Sequence, residues 1–328
     1  MNNRERLEKT IAGEATDRVP VALWRHFPGD DQRAADLARS TVDFQRTYNW
    51  DFVKLTPASS FCIADYGVQD EWQGSLEGTR VYTKHAVNRT LDWTNLRTLD
   101  PTRGGLGRQI ECIRLVCEAL GEQVPVIQTI FSPLAQAKNI AGRDALIRHL
   151  RTQPDRLRSG LNVITDSTLR FVDALRRLPI AGVFYAVQHA SYDVMSESEY
   201  REFGMPYDLK ILESLSERWW LNVLHIHGDA PMFRALANYP VDVVNWHDRA
   251  GEPDLAQGKL AFNGAVCGGV AQWEHLHLGT PATVRDMARD AIAQTNGRRL
   301  ILSTGCVAPI TTPLSNIRAL RAAVEPAG

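Results

Sequence analysis

The strongest constraint on this chain is a rhythm: short runs rich in Val, Ile and Leu return along nearly its whole length, separated by longer stretches of helical periodicity. The runs lie at residues 19–24, 52–56, 124–130, 180–186, 222–226, 241–246, 260–262 and 300–303. They are short, β-branched and mostly non-alternating, the pattern of strands buried on both faces of a parallel sheet. Between most of them, segments such as residues 143–151, 155–176, 199–217 and 281–295 place apolar side chains at helical intervals. Strand followed by helix, repeated about eight times, predicts an α/β chain folded as a (β/α)8 TIM barrel.

No linker divides the 328 residues, so a single domain over residues 1–328 is expected. Residues 4–11 read as a leading helix, and residues 315–323 as a closing helix with Ser315 as its N-cap. Residues 61–103 are the least regular part, with Gly67, Gly74, Gly78 and an alternating Val81-Tyr82-Thr83. They are expected to form an insertion after an early strand, with a small β element of its own, and loops of that length often act as lids.

Composition narrows the function classes. Lys and Arg number 37 against 38 acidic residues, so there is no overall basic field to hold nucleic acid or an anionic membrane. A mean hydropathy of -0.25 argues against a membrane protein. The first residues carry charge every few positions and lack the apolar core of a secretory signal, so a cytoplasmic location is expected. Cys62, Cys112, Cys117, Cys267 and Cys306 are odd in number and widely spaced, which argues against a disulfide framework.

Barrel enzymes build their sites at the carboxyl ends of the strands, so the residues ending each run are the candidates. They include Arg25 and His26, Lys54, Gln128 and Ser132, Gln188 and His189, His225 and His227, His247 and Asp248, Asn263, and Cys306. In a strand, residues two apart point the same way, so the imidazoles of His225 and His227 can both face the barrel mouth. Cys306, after the last run, can meet them there. Two neutral imidazoles and a thiolate suit Zn²⁺, and three protein ligands leave a fourth position open for substrate or water. Asp229 or His247 can support or join such a set. The alternative is a pair of hydrogen-bonded histidines beside a buried cysteine that acts as a small hydrophobe. Arg25 offers a guanidinium fork to a carboxylate or phosphate. Lys54 lies in an apolar run, where an ammonium needs an acidic partner or a functional reason. With Gln128, Gln188 and Asn263, these two are the expected substrate contacts of a small-molecule site.

The motifs Arg4-Glu5-Arg6-Leu7, Asp17-Arg18-Val19-Pro20-Val21, Trp50-Asp51-Phe52-Val53-Lys54, Asp65-Tyr66-Gly67, Ser196-Glu197-Ser198-Glu199-Tyr200, Met205-Pro206-Tyr207, Gly279-Thr280-Pro281 and Gly305-Cys306-Val307-Ala308-Pro309 follow one another in order. In that order and spacing the chain resembles the uroporphyrinogen decarboxylase superfamily, which includes decarboxylases of haem synthesis and cobalamin-dependent methyltransferases acting on thiols. Against the decarboxylases, Arg25 is similar to a first-loop arginine. Thr56-Pro57-Ala58-Ser59 stands where their aspartate would be, and Cys306 where their last-loop histidine would be. Against the methyltransferases, the resemblance implies zinc ligands at His225, at His227 in place of a cysteine, and at Cys306.

The reading that follows is a zinc-dependent methyltransferase activating a thiol or hydroxyl. Its methyl donor, by resemblance, is a methylcorrinoid on a partner protein. A homodimer is compatible with the resemblance. The rival is a decarboxylase of a small carboxylated molecule, with Arg25 placing the carboxylate and His247 protonating the carbanion. A third reading is a non-catalytic small-ligand binder.

Overall fold

The computed structural model describes residues 1–325. Seven parallel strands form one sheet in the order β1 (Val53–Leu55), β4 (Val126–Phe131), β5 (Gly182–Val187), β6 (Val223–Ile226), β7 (Val243–Trp246), β8 (Ala265–Val270) and β9 (Leu300–Thr304). Each successive pair is parallel, and helices in the intervening chain include Gly104–Leu120, Pro154–Leu175, Leu255–Ala261 and Pro281–Thr295. Every residue of these seven strands is buried, as strands covered on both faces must be. The buried apolar side chains form one cluster from Leu7 to Val324.

The two edges of the sheet are linked through residues 20–22. Ala22 N–H donates to Leu302 O, Leu302 N–H to Pro20 O, and Asp51 N–H to Val21 O. The expected first strand at 19–24 is therefore an isolated bridge between Val21 and Leu302. Pro20 contributes to this brevity, because it has no N–H for a ladder. Asp51, fully buried, anchors the same corner by accepting from Val21 N–H and from the guanidinium groups of Arg6 and Arg18. This ties the leading helix Asn3–Ala12 under the sheet.

The expected strand at 260–262 is corrected. Residues 255–261 are helical, Leu260 is 89% exposed, and the strand begins only at Ala265. Ser315 lies inside the closing helix, Leu314–Ala322, whose N-cap is Pro313. By contrast, Thr280 caps the helix Pro281–Thr295 by accepting from Thr283 N–H. The insertion carries an antiparallel pair, β2 (Gln69–Glu71) with β3 (Val81–Lys84). It is pinned to the mouth of the sheet where Ile310 N–H donates to Leu76 O at 2.7 Å. Gly78 holds φ +74 there, and a Cβ would lie 2.5 Å from His26 Cβ, so only glycine fits that approach.

Candidate metal centre and flanking cavities

Strand parity decides which side chains face the interior. Lys54 on β1, Thr129 and Phe131 on β4, Phe184 and Ala186 on β5, and His225 on β6 all face a cavity of about 370 Å³. Trp24, His26, Gln188, His227 and Cys306 complete the same wall beyond the strand ends. His225 pairs in register with Asn245 of β7, and the chain turns past Trp246 to present His247 beside them.

The ligand atoms of His225, His227, His247 and Cys306 all lie within 4.8 Å of one another. Cys306 Sγ is 3.9 Å from His225 Nε2 and 3.7 Å from His227 Nδ1. Tetrahedral zinc with N and S ligands requires separations of roughly 3.5 Å, so the donors are nearly in place. His225 is oriented by Asn245, whose Oδ1 is 2.6 Å from its Nδ1. Asn245 is held in turn by donating to Cys267 O and Thr304 O. With Nδ1 donating, the lone pair of Nε2 points to Cys306. His247 Nδ1 lies 3.3 Å from Asp229 Oδ1, and its Nε2 is buried without a partner among the described residues. A buried ring nitrogen with no partner is costly in a sealed core and ordinary in a ligand set, so the residues fit a metal.

Burial sets the protonation states. It pushes the imidazole of His225 well below its ordinary value, with the neighbouring His227 and His247 adding to the effect, and takes His227 down to about 4. Neutral imidazoles are the form that binds metal. Burial also lifts the Cys306 thiol to about 12. A cation in the cluster would oppose that shift and take the thiolate. Among the described residues, Lys54 has no acidic partner. Its Nζ sits 4.6 Å from the Phe184 ring centroid and 3.3 Å from Thr56 Oγ1, and burial lowers its ammonium to about 7. Lys138, from the helix Pro133–Ala141, lines the same cavity and is lowered to about 8 by burial.

Gln188 lines this cavity with its Oε1 unpartnered, but three other expected substrate contacts lie elsewhere. Arg25 stands between inward-facing Trp24 and His26, so it points the other way. It donates to Ile310 O and lies over the Phe27 ring, outside the lining of the cavity. Gln128 lies between inward-facing Ile127 and Thr129; it is fully buried and accepts from Gln109 of the helix Gly104–Leu120. Asn263 precedes β8, so it belongs to the amino end of the sheet, where its carbonyl accepts from Arg299. Sequence reading missed Glu77, Lys138 and Asn245. Asn245 had a signal, lying on the strand that ends just before His247 and two residues before it; Lys138 and Glu77 had none.

A uroporphyrinogen decarboxylase (URO-D) family model matches residues 2–326. The chain belongs to the uroporphyrinogen decarboxylase family. Within that family, it is 23% identical over 334 residues to the methylcobamide:CoM methyltransferase MtbA of Methanosarcina mazei, covering 96% of this chain and 95% of that protein. It is also 27% identical over 207 residues to a methylated-thiol–coenzyme M methyltransferase of the same organism, covering 60% of this chain and 52% of that protein. Among solved structures, a methyltransferase from Methanosarcina mazei superposes with a TM-score of 0.87 at 20% identity, over 98% of both chains. A B12-independent methionine synthase from Shewanella superposes with a TM-score of 0.59 at 12% identity, over 93% of this chain and 90% of that one. At these identities the structural likeness concerns the fold. No helix among the described residues is long and apolar enough to cross a membrane.

Proposed function

We propose that this family member is a zinc-dependent methyltransferase that transfers a methyl group from a corrinoid-bound donor on a partner protein to a small thiol or hydroxyl compound. In this reading the chain is one (β/α)8 barrel domain, with residues 20–22 in the eighth strand position. What supports the reading is the cluster of four donors, His225, His227, His247 and Cys306, at the wall of a cavity lined by Lys54, which has no acidic partner among the described residues. Relatives named as methylcobamide:CoM methyltransferases, at 22–23% identity over nearly the whole chain, supply the reaction class.

His225, His227 and Cys306 would hold the ion, and His247 would stand beside it as a further ligand or proton carrier. Bound zinc would supply a Lewis acid that lowers the pKa of a thiol or hydroxyl, so that the anion forms near neutral pH. Lys54, framed by Trp24 and Phe184, and Lys138 would receive an anionic end of the acceptor; a buried ammonium without a carboxylate is costly until an anion arrives. Gln188 would donate or accept beside it. Walls of Trp24, Phe131, Phe184 and Val307 exclude water from the acceptor.

The test is elemental analysis of the purified protein beside His227→Ala and Cys306→Ser, with methyl transfer from methylcobalamin to small thiols assayed in parallel. About one zinc per chain, lost in both variants together with methyl transfer, is the expected result. A wild-type protein that stays metal-free when zinc is supplied refutes it.

A further inference from the structure

The cluster of histidines and Cys306 stands between two cavities of nearly equal size and opposite charge. The first, described above, holds Lys54 and Lys138 against Glu77, with Arg80 already engaged by Asp70 and Asp31. The second, about 380 Å³, shares His227 and Glu77 with it and adds Asp229, Glu274, Arg249 and Trp273. Three carboxylates thus face one guanidinium, and that guanidinium is already engaged. Arg249 Nη2 donates to Asp290 at 2.7 Å, and Nε donates to Gly269 O at 2.9 Å and lies 3.6 Å from buried Asp248. Among the described residues lining this cavity, no free Lys or Arg charge remains to receive an anion.

Two further features point to a ligand. Gln272 lines the second cavity at only 9% exposure, and its amide has no hydrogen-bond partner among the described residues. Its amide, open to the cavity, is therefore free to donate to and accept from a ligand there. Trp273 is half-buried in the same wall, set edge-on to His277 at 5.5 Å. An indole beside carboxylates is a recognised environment for organic cations. The volume falls at the low end of small-molecule sites, so the ligand is small.

We propose that this second cavity is a binding site for a small organic cation, a methylated ammonium or sulfonium compound, held by Trp273, Glu77 and Glu274 with Gln272 as its hydrogen-bonding wall. The site goes beyond the methyl-transfer reading and stands with or without a metal at the cluster. Its place across His227 from the lysine-lined cavity would let a cation and an anion occupy opposite sides of the cluster together.

The test is calorimetric titration of tetramethylammonium chloride into the metal-free full-length protein at constant ionic strength, with sodium methanesulfonate as the anionic probe. Saturable one-site binding of tetramethylammonium is expected. It should weaken by about fivefold or more in Trp273→Ala and also in Glu274→Gln, but not in Lys54→Met. Methanesulfonate should leave it in place. Glu274 is exposed, so its variant keeps the fold and isolates the charge. Absence of saturable binding to the wild type, binding that neither substitution weakens, or displacement by methanesulfonate overturns the proposal. Each of these readouts is independent of zinc content and of methyl transfer.

Discussion

Replacing Asn245 by Ala removes the residue that aims His225. Asn245 is fully buried and makes three hydrogen bonds: one to His225 Nδ1 at 2.6 Å, and two from its Nδ2, to Cys267 O at 2.8 Å and Thr304 O at 3.0 Å. Each is worth about 1 kcal/mol net, so the variant should lose about 3 kcal/mol of stability, read from urea denaturation. Freed of its partner, the imidazole can rotate or change tautomer, and loss of such a supporting bond typically costs about 10–100-fold in metal affinity. Affinity is measured by competition with a chromophoric zinc chelator at pH 7. Asn245→Asp separates the two effects, because it keeps an acceptor for Nδ1–H while losing both donors to the carbonyls. It should be destabilised yet bind zinc at least as tightly as the wild type. If Asn245→Ala binds zinc within twofold of the wild type, the proposed role of His225 as an oriented ligand is wrong.

The other expectations follow from buried charge and close packing. Burial lowers Lys54 from its ordinary 10.5 to about 7, so between those values the unfolded chain holds a proton that the folded chain has lost. Wild-type stability should therefore rise by about 1.4 kcal/mol per pH unit across that window from this group alone. Lys54→Met should be the more stable protein at pH 7, with the gap closing as pH rises; a pH-independent gap in chemical denaturation would refute the buried-ammonium account. Asp51→Ala removes the buried carboxylate shared by Arg6 and Arg18 and leaves Val21 N–H unpaired, while Arg6 keeps Asp17, and should cost about 3–5 kcal/mol by the same method. Loss of less than about 1 kcal/mol would show that the corner tolerates the charge. At Gly258, a Cβ would meet the Trp246 ring at 2.3 Å. Gly258→Ala should therefore lower stability by about 1–3 kcal/mol through displacement of that ring, unlike an ordinary helical glycine-to-alanine change, which stabilises.

Much of the fold was legible because a buried parallel strand leaves a local mark: a short β-branched run between helical segments. Six of the eight runs overlap strands of the observed sheet, and the run at 19–24 supplies the bridge. The run at 260–262 misled because β8, Ala-Val-Cys-Gly-Gly-Val, is diluted by two glycines, while the apolar residues just before it end a helix. Parity along β4 turns Gln128 away from the cavity that Thr129 and Phe131 face, a relation that the two-residue period already contained. His225 and His227 were legible as a pair because the two-residue period is a local property of the backbone. Their distance from Cys306 was not, because it depends on how β9 registers against the rest of the sheet.

By itself, then, the sequence determined the strand-and-helix rhythm, the family membership and the His-x-His and Cys306 that enter the cluster. Tertiary structure alone decided that Asn245 supports His225, that Lys54 and Lys138 share one cavity, and that Glu77, delivered by the insertion, stands where two cavities of opposite charge meet. The physical reason is that these relations join residues tens to hundreds of positions apart. They are set by inter-strand register and loop closure, for which a chain carries no short-range signal.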